Sequence, residues 1–434
     1  MIISKSEKAN KKLNNPESKA NPGYKLTSLG LIPEEWEVKS LSELGNFSKG
    51  KGILKEQLSE YGLPCIRYGE IYTSQDFVIK EFKSFIPVEV AKESKEIQTG
   101  DILFAGSGET LEEIGKAVAY TGNEKAYAGG DVIILSVKEK VKAEYISYTL
   151  ESEILKRQKR RLGQGHSVVH IYPRDLETLK ILLPPLLERN KIVNLLSTWD
   201  KAILTLSSLI TQKELRKKWL MQQLLTGKKR LKGFGGDWKE YSYDKILKVV
   251  KRTSEFNEDH LYNLISVRRR SGGIFLREAL YGHQILVKDL RIAKEGDFLF
   301  SKMQIVHGAS CLVTKQFSDT FISGSYIAVI AKNTETLNME YFNWASKLLY
   351  FYHQTYISSY GVHIEKMTFD FDSFLSLKIK LPKKDEQIAI VKVLQSANKE
   401  IQLLKSKLEK LKKQKKGLMQ VLLTGKVRVK NVVY

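Results

Sequence analysis

The chain has 434 residues, with 71 Lys and Arg against 49 Asp and Glu, a formal net charge of +22 and 42% hydrophobic residues. That length suits two to three domains with ample core, and the charge predicts a polyanionic partner, nucleic acid first, with an anionic membrane or an acidic protein behind it. No run of eighteen apolar residues exists, so no membrane span is expected, and two cysteines, Cys65 and Cys311, point to a reducing cytoplasm rather than a disulfide framework.

Residues 1–30 read as a disordered or loosely docked arm, rich in Lys, Asn and Ser and without the apolar core of a signal peptide. A first globular segment, 31–183, begins near Ile32-Pro33-Glu34-Glu35-Trp36. Its strand-like runs are Pro64–Tyr68, Asp101–Phe104 and Asp131–Leu135, separated by Gly-rich turns and followed by a helical stretch over Ala143–Arg161. A rod-like helix over 184–232 comes next. The layout then restarts: a second globular segment over 233–381 and a second rod over 382–434. Trp238 echoes Trp36, Gly296-Asp297-Phe298-Leu299-Phe300 echoes Gly100-Asp101-Ile102-Leu103-Phe104, and Met339–Tyr352 echoes the Ala143 helix.

The rods are the clearest repeat. Leu183 to Leu231 returns without a gap about 198 residues later, with roughly two positions in five identical, so the chain is an internal duplication rather than a solenoid. Ile192, Leu196, Trp199, Ile203 and Leu206 in the first copy, and Ile390, Leu394, Ile401, Leu404 and Leu408 in the second, lie on an a/d seam. Pro184 and Pro382 precede helix entry, while Gly227 and Gly425 stand where a left-handed cap would end each helix. About 38 residues at 1.5 Å rise give a rod of roughly 57 Å. Seams of matched length and phase predict that the two helices pair with each other. Lys213 and Lys217 fall on the first seam, which predicts a looser stretch there.

The repeated Leu-Pro entry (Leu183-Pro184-Pro185 with Glu188; Leu381-Pro382 with Glu386-Gln387), the paired Leu-Leu-Thr-Gly-Lys endings and the Gly-Asp-x-Leu-Phe strands resemble the specificity subunit of type I restriction–modification systems. The resemblance covers Leu31 to Lys430. Arg189 in place of Gln and Lys383 in place of Pro are its two departures. The resemblance implies an α/β, internally duplicated fold: two globular α/β target recognition domains joined by two long antiparallel paired helices. It also implies a chain that is not itself catalytic and that reads a bipartite target in double-stranded DNA. Two methylation subunits would be organised on it, and a restriction subunit can add to that complex. S-adenosylmethionine, ATP and Mg would then act on the partner subunits, with no cofactor in this chain.

Two fragments imitate a methyltransferase and are rejected. Phe104-Ala105-Gly106-Ser107-Gly108 has a repeat counterpart, Phe300-Ser301-Lys302-Met303, without glycines, and Asn21-Pro22-Gly23-Tyr24 lies in the arm. No Gly-x-x-x-x-Gly-Lys-[Ser/Thr] loop appears, and His166 and His170 lack a third metal ligand, so no metal site is expected. The candidate DNA contacts of the first segment are Lys49, Lys51, Arg67, Tyr68, Ser107, Arg157, Lys159, Arg160 and His166. Those of the second are Arg268, Arg269, Arg270, Lys302, His307, Tyr360, His363 and Lys366. Arg suits guanine and phosphate alike, and the basic run Lys156–Arg161 reads equally as a solvated helix face. The competing reading is a duplicated coiled-coil scaffold whose charge serves solubility.

Overall fold

The computed structural model describes residues 22–138, 141–165, 168–253 and 255–429. Contacts divide it into two compact units, Met1–Thr205 with Leu408–Tyr434, and Leu206–Lys407. The first unit is therefore discontinuous in sequence, and the second is a single stretch.

The globular head of the first unit holds two four-stranded sheets. In one, Gly45–Lys49, Ile102–Ala105, Ala117–Ala119 and Val132–Val137 pair antiparallel, with Val132–Val137 central beside Ile102–Ala105. In the other, Leu63–Ile66 lies between Ser84–Ile86 and a parallel neighbour, Ala126–Ala128, which also pairs with Lys95–Ile97. The continuous apolar runs Ile102-Leu103-Phe104-Ala105 and Val132-Ile133-Ile134-Leu135 are fully buried because both sheet faces are covered. The expected single helix over Ala143–Arg161 is two, Ala143–Leu150 and Glu153–Leu162. Ser152 takes an extended backbone between them and its hydroxyl accepts from the Leu155 amide at 3.5 Å, so a new N-cap interrupts the helix. Of the arm expected over residues 1–30, residues 1–21 lie outside the described residues, whereas Tyr24–Thr27 pairs antiparallel with Gly30–Pro33. Tyr24 anchors that hairpin by donating to the Gly425 carbonyl at 3.0 Å.

The head of the second unit repeats this plan. Leu247–Val250, Tyr326–Ala331, Phe298–Ser301 and Ser310–Leu312 make one antiparallel sheet. Ile274–Tyr281, Leu261–Val267, Thr320–Ser323 and Leu290–Ala293 make the other, again with one parallel pair. Its core is aromatic: Tyr243, Phe298, Phe300, Phe342, Phe351, Phe369 and Phe374 cluster, with Tyr243 and Phe374 stacked at 4.2 Å.

Each rod is one unbroken helix of 39 residues, Leu186–Leu224 and Lys384–Leu422. Every seam position named from the sequence is buried or half-buried. In the first unit Ile192 and Leu196 share a core with Met419, Leu422 and Leu423; in the second, Ile390 and Leu394 share one with Leu224 and Leu225. Each head is thus completed by the end of the rod that follows the other head in sequence, which makes the pairing antiparallel. Within the second unit, Lys213 meets Glu400 at 2.5 Å and Lys217 donates to the Asn398 amide oxygen at 3.0 Å. The stretch expected to loosen is instead bridged by polar pairs, because both seam lysines find acceptors on the facing helix.

The repeated rod endings now have a structural reason. Leu224, Leu225, Leu422 and Leu423 are the buried residues. Thr226 and Thr424 bond back to the carbonyls of Gln222 and Gln420. Gly227 and Gly425 both take φ +70°, and the Lys229 and Val427 amides close each helix on the carbonyls of Gln223 and Val421 at 3.1 Å. A Cβ on Gly425 would meet Pro33 within 2.4 Å, so the glycine also permits close packing on the Pro33–Trp36 corner.

Both thiols are structural. Cys65 is buried and burial pushes it up to about 12, and burial also raises the half-buried Cys311. Iodoacetamide at pH 8 is expected to leave both unmodified in the native chain and to label both in guanidinium; native labelling of Cys65 within minutes, read by mass spectrometry, would contradict the burial.

Candidate nucleic-acid interface

In the first head the strand ends deliver several loops to one edge. The Gly50 amide donates to the Val132 carbonyl, Lys51 to Ala128, Gly130 to Gly52, Gly129 to Ile66 and Gly106 to Asp131. The two-residue strand Ser107–Gly108 pairs with Val169–His170, and the Ser107 hydroxyl and His170 Nδ1 lie 3.0 Å apart. Lys49 and Arg174 both approach the Tyr172 ring, at 5.7 and 5.4 Å from its centre. Lys49, Lys51, Arg67 and Tyr68 therefore belong to one loop cluster, with Arg67 against Gly129, whereas Ser107 is buried behind it with its hydroxyl on His170 and is assigned no DNA contact. The glycines at 106 and 108 are explained by contact within the chain: a Cβ there would meet the Asp131 carbonyl at 2.9 Å or the Tyr72 hydroxyl at 2.8 Å.

Two of the sequence candidates, Lys159 and Arg157, do not join that cluster. Lys159 is 3% exposed, and its ammonium is spent on the Gly115 carbonyl at 2.9 Å and the Glu151 carboxylate at 3.2 Å. Burial works against the Glu151 charge, but Lys159 and Lys156 together hold its carboxyl below the usual range. Lys159 is thus internal, and no DNA contact is assigned to it. Arg157 is exposed but lines a cavity of about 670 Å³ with Tyr24, Thr424 and Lys426, beside the rod end. His166 lies outside the described residues. Arg160 is exposed on the last turn of Glu153–Leu162, leading into the Gly163–Gly165 turn.

In the second head the candidates converge more tightly. Leu261–Val267 and Ile274–Tyr281 form an antiparallel ribbon whose tip is Arg268-Arg269-Arg270-Ser271-Gly272-Gly273. The tip leans on two neighbouring loops. Arg269 donates from Nε to the Gln304 side-chain oxygen at 2.8 Å and from Nη2 to Glu365 at 2.7 Å, while His307 Nε2 lies 3.4 Å from Glu365. The Arg270 amide donates to the His307 carbonyl at 2.6 Å, and the Ser271 and Tyr352 hydroxyls meet at 2.8 Å. Lys302 follows Phe298–Ser301 and accepts at its carbonyl from the Phe369 amide, which ties it to the Ser359–Tyr360 and Thr368–Phe369 hairpin. Tyr360, His363 and Lys366 are exposed on that hairpin. The sequence had not flagged Gln304, Tyr352 or Glu365, which hold the tip in place. Glu365 stood beside Lys366, but nothing local linked it to Arg269, 96 positions earlier.

The two heads occupy the same two-sheet frame and differ in their connections, among them one at the loop-bearing edge. Between the paired strands Leu63–Ile66 and Ser84–Ile86 the first head inserts residues 67–83, including the helix Tyr68–Thr73. The second head makes the same crossing with the six residues Arg268–Gly273.

A family described as "Type I restriction modification DNA specificity domain" matches residues 33–215 and again 236–413. The chain belongs to this family and carries its domain twice; it is a type I restriction–modification specificity chain with two recognition domains. Among its relatives, one from Methanocaldococcus jannaschii, named for the MjaX specificity subunit of a type I restriction enzyme, is 28% identical over 94% of this chain and 97% of its own length. The EcoKI specificity subunit of Escherichia coli is 26% identical over a shorter stretch, 39% of this chain and 37% of its own. The fold is similar to that of the type I restriction–modification S subunit from M. genitalium (TM-score 0.54, 15% identity, 92% of this chain and 98% of that one). No helix among the described residues is long and apolar enough to cross a membrane.

Proposed function

We propose that each head reads one half of a split duplex target through its loop cluster, and that the chain is non-catalytic and scaffolds two methylation subunits, with restriction subunits able to join. The observation that carries this reading is the contrast between what the halves share and where they differ. The rods, their caps and the two-sheet frame repeat, which offers equivalent surfaces to two copies of one partner. The connection at the loop-bearing edge differs in length, structure and charge, as two readers of different sequences require. Methyl transfer would use S-adenosylmethionine on the methylation partners, and ATP and Mg would serve the restriction partner; this chain would supply sequence recognition and spacing.

The test is a genome-wide methylation map of cells expressing this chain with its methylation partner, compared with the partner alone. A chain-dependent split motif with one methylated adenine per half is expected, and exchanging residues 233–381 for another head should change one half only. A complex that forms without any chain-dependent motif would replace this reading with a protein-binding scaffold.

A further inference from the structure

Three adjacent arginines at the ribbon tip of the second head have three different environments. Arg268 lies over the Phe275 ring at 4.3 Å, and Arg269 is held by Gln304 and Glu365. Arg270 is exposed, and no side chain among the described residues engages its guanidinium. Its backbone is the opposite of loose. Arg270 and Ser271 take φ +57° and +52°, the left-handed pair that a tight hairpin turn requires at its two central positions, closed by the Gly272 amide on the Arg269 carbonyl at 3.2 Å. That conformation is fixed from both sides: the Arg270 amide bonds to the His307 carbonyl, the Ser271 amide to the Gly308 carbonyl at 2.9 Å, and the Ser271 hydroxyl to Tyr352. Gly308 makes room for this docking, since a Cβ there would strike the Tyr352 hydroxyl within 2.1 Å.

We propose that Arg270 is the base-reading residue of the second head, donating its two-pronged guanidinium to O6 and N7 of a guanine in the major groove, with Arg269, Gln304, Glu365 and Ser271 as positioning residues. This rests on the functional reading above and deepens it. A two-stranded ribbon is one of the elements the major groove admits, and a bidentate Arg–guanine contact is the commonest base-specific pairing there. A phosphate contact needs no fixed backbone, because a long side chain reaches a charged oxygen from many rotamers; a base contact does need one. The tip is overdetermined in the backbone and unengaged at one guanidinium, which is the arrangement a base reader requires. The first head places residues 67–83 at the same crossing, so its half-site is read by a different element.

The experiment uses the full chain in complex with its methylation partner, as wild type, Arg270→Ala and Arg270→Lys. Methylation maps are paired with binding of the complex to four duplexes differing only at the guanine in question. The wild type should specify a guanine in one half. Both variants should lose roughly 5- to 100-fold in discrimination at that position, the other half unchanged, and Arg270→Lys should retain most of the overall affinity because it keeps the charge. Unchanged melting curves for the variants would exclude misfolding. A motif with no guanine in either half, full discrimination by Arg270→Lys, or an equal affinity loss on all four duplexes would each overturn the assignment. A wild-type complex with no chain-dependent motif would instead remove the functional reading on which it rests.

Discussion

Glu188→Ala is expected to lower the stability of the first unit by about 3 kcal/mol, or roughly 10 °C in its melting transition. Glu188 is 7% exposed and accepts from three donors. Arg428 reaches it from Nε at 2.7 Å and from Nη2 at 2.8 Å, and the fully buried Trp36 indole donates to it at 3.0 Å. Removing the carboxylate orphans the buried indole N–H and leaves the half-buried guanidinium with only the exposed Glu35 carboxylate, at 2.7 Å, and orphaned buried groups cost more than the pair was worth. The second unit contains the same pair at the repeat positions, with Arg230 on Glu386 at 2.5 and 2.6 Å. Glu386→Ala should cost less, about 2 kcal/mol, because Arg230 also donates to the carbonyls of Gly235 and Gly236 and Trp238 does not depend on Glu386. Hydrogen exchange on the full chain separates the two: each substitution should release amides in its own unit first. Equal losses from both substitutions would contradict the donor count.

The second large effect lies at Asp200. This carboxylate accepts from Lys415 at 2.5 Å and from the Tyr148 hydroxyl at 2.6 Å, and the Lys415 ammonium also lies 3.8 Å from the centre of the Phe77 ring. Asp200→Ala should cost about 3 kcal/mol, since Lys415 is 4% exposed and would keep its charge with only the rings as partners. Asp200→Asn should cost about 1 kcal/mol, because the second unit already uses Asn398 against Lys217 at the equivalent positions. The alanine deficit should shrink as pH rises. Burial lowers the Lys415 pKa in the fold, and losing Asp200 lowers it further. Below that folded-state value both states are protonated and the full penalty applies. Between it and the ordinary lysine value near 10.4 the unfolded chain binds more protons, so stability relative to wild type climbs. Chemical denaturation of both variants between pH 7 and pH 10 checks the sign, and a deficit that grows with pH would refute the account.

Periodicity and duplication made the rods legible from the sequence. An a/d seam is written locally, every three or four residues, and its second copy repeats the reading. The ion pairs that lock each rod end were not legible: Arg230 and Arg428 stand past the helix caps, and their carboxylates lie 156 and 240 positions away. The basic run Lys156–Arg161 misled at Lys159 for a related reason. A helix break at Ser152 folds Glu151 back toward it, and charge count alone carries no information about that break. The arginine tip was readable as a turn from Ser271-Gly272-Gly273, whereas its docking on His307, Gly308 and Tyr352 depends on chain segments that only the tertiary fold brings near.

The discontinuity of the first unit has a consequence for biosynthesis. Its head is translated before the second unit, yet Met419, Leu422 and Leu423, which complete its core, are made only after that unit. At roughly 5 to 20 residues per second, about ten to forty seconds pass between emergence of the first rod and arrival of that closing helix. During this interval the apolar face of Ile192 and Leu196 waits for its cover, and the nested second unit is itself complete only at Lys407, twelve positions before Met419. The outer unit can therefore close only after the whole inner unit has been made, and its nascent form is the stage at which a chaperone would have most to protect.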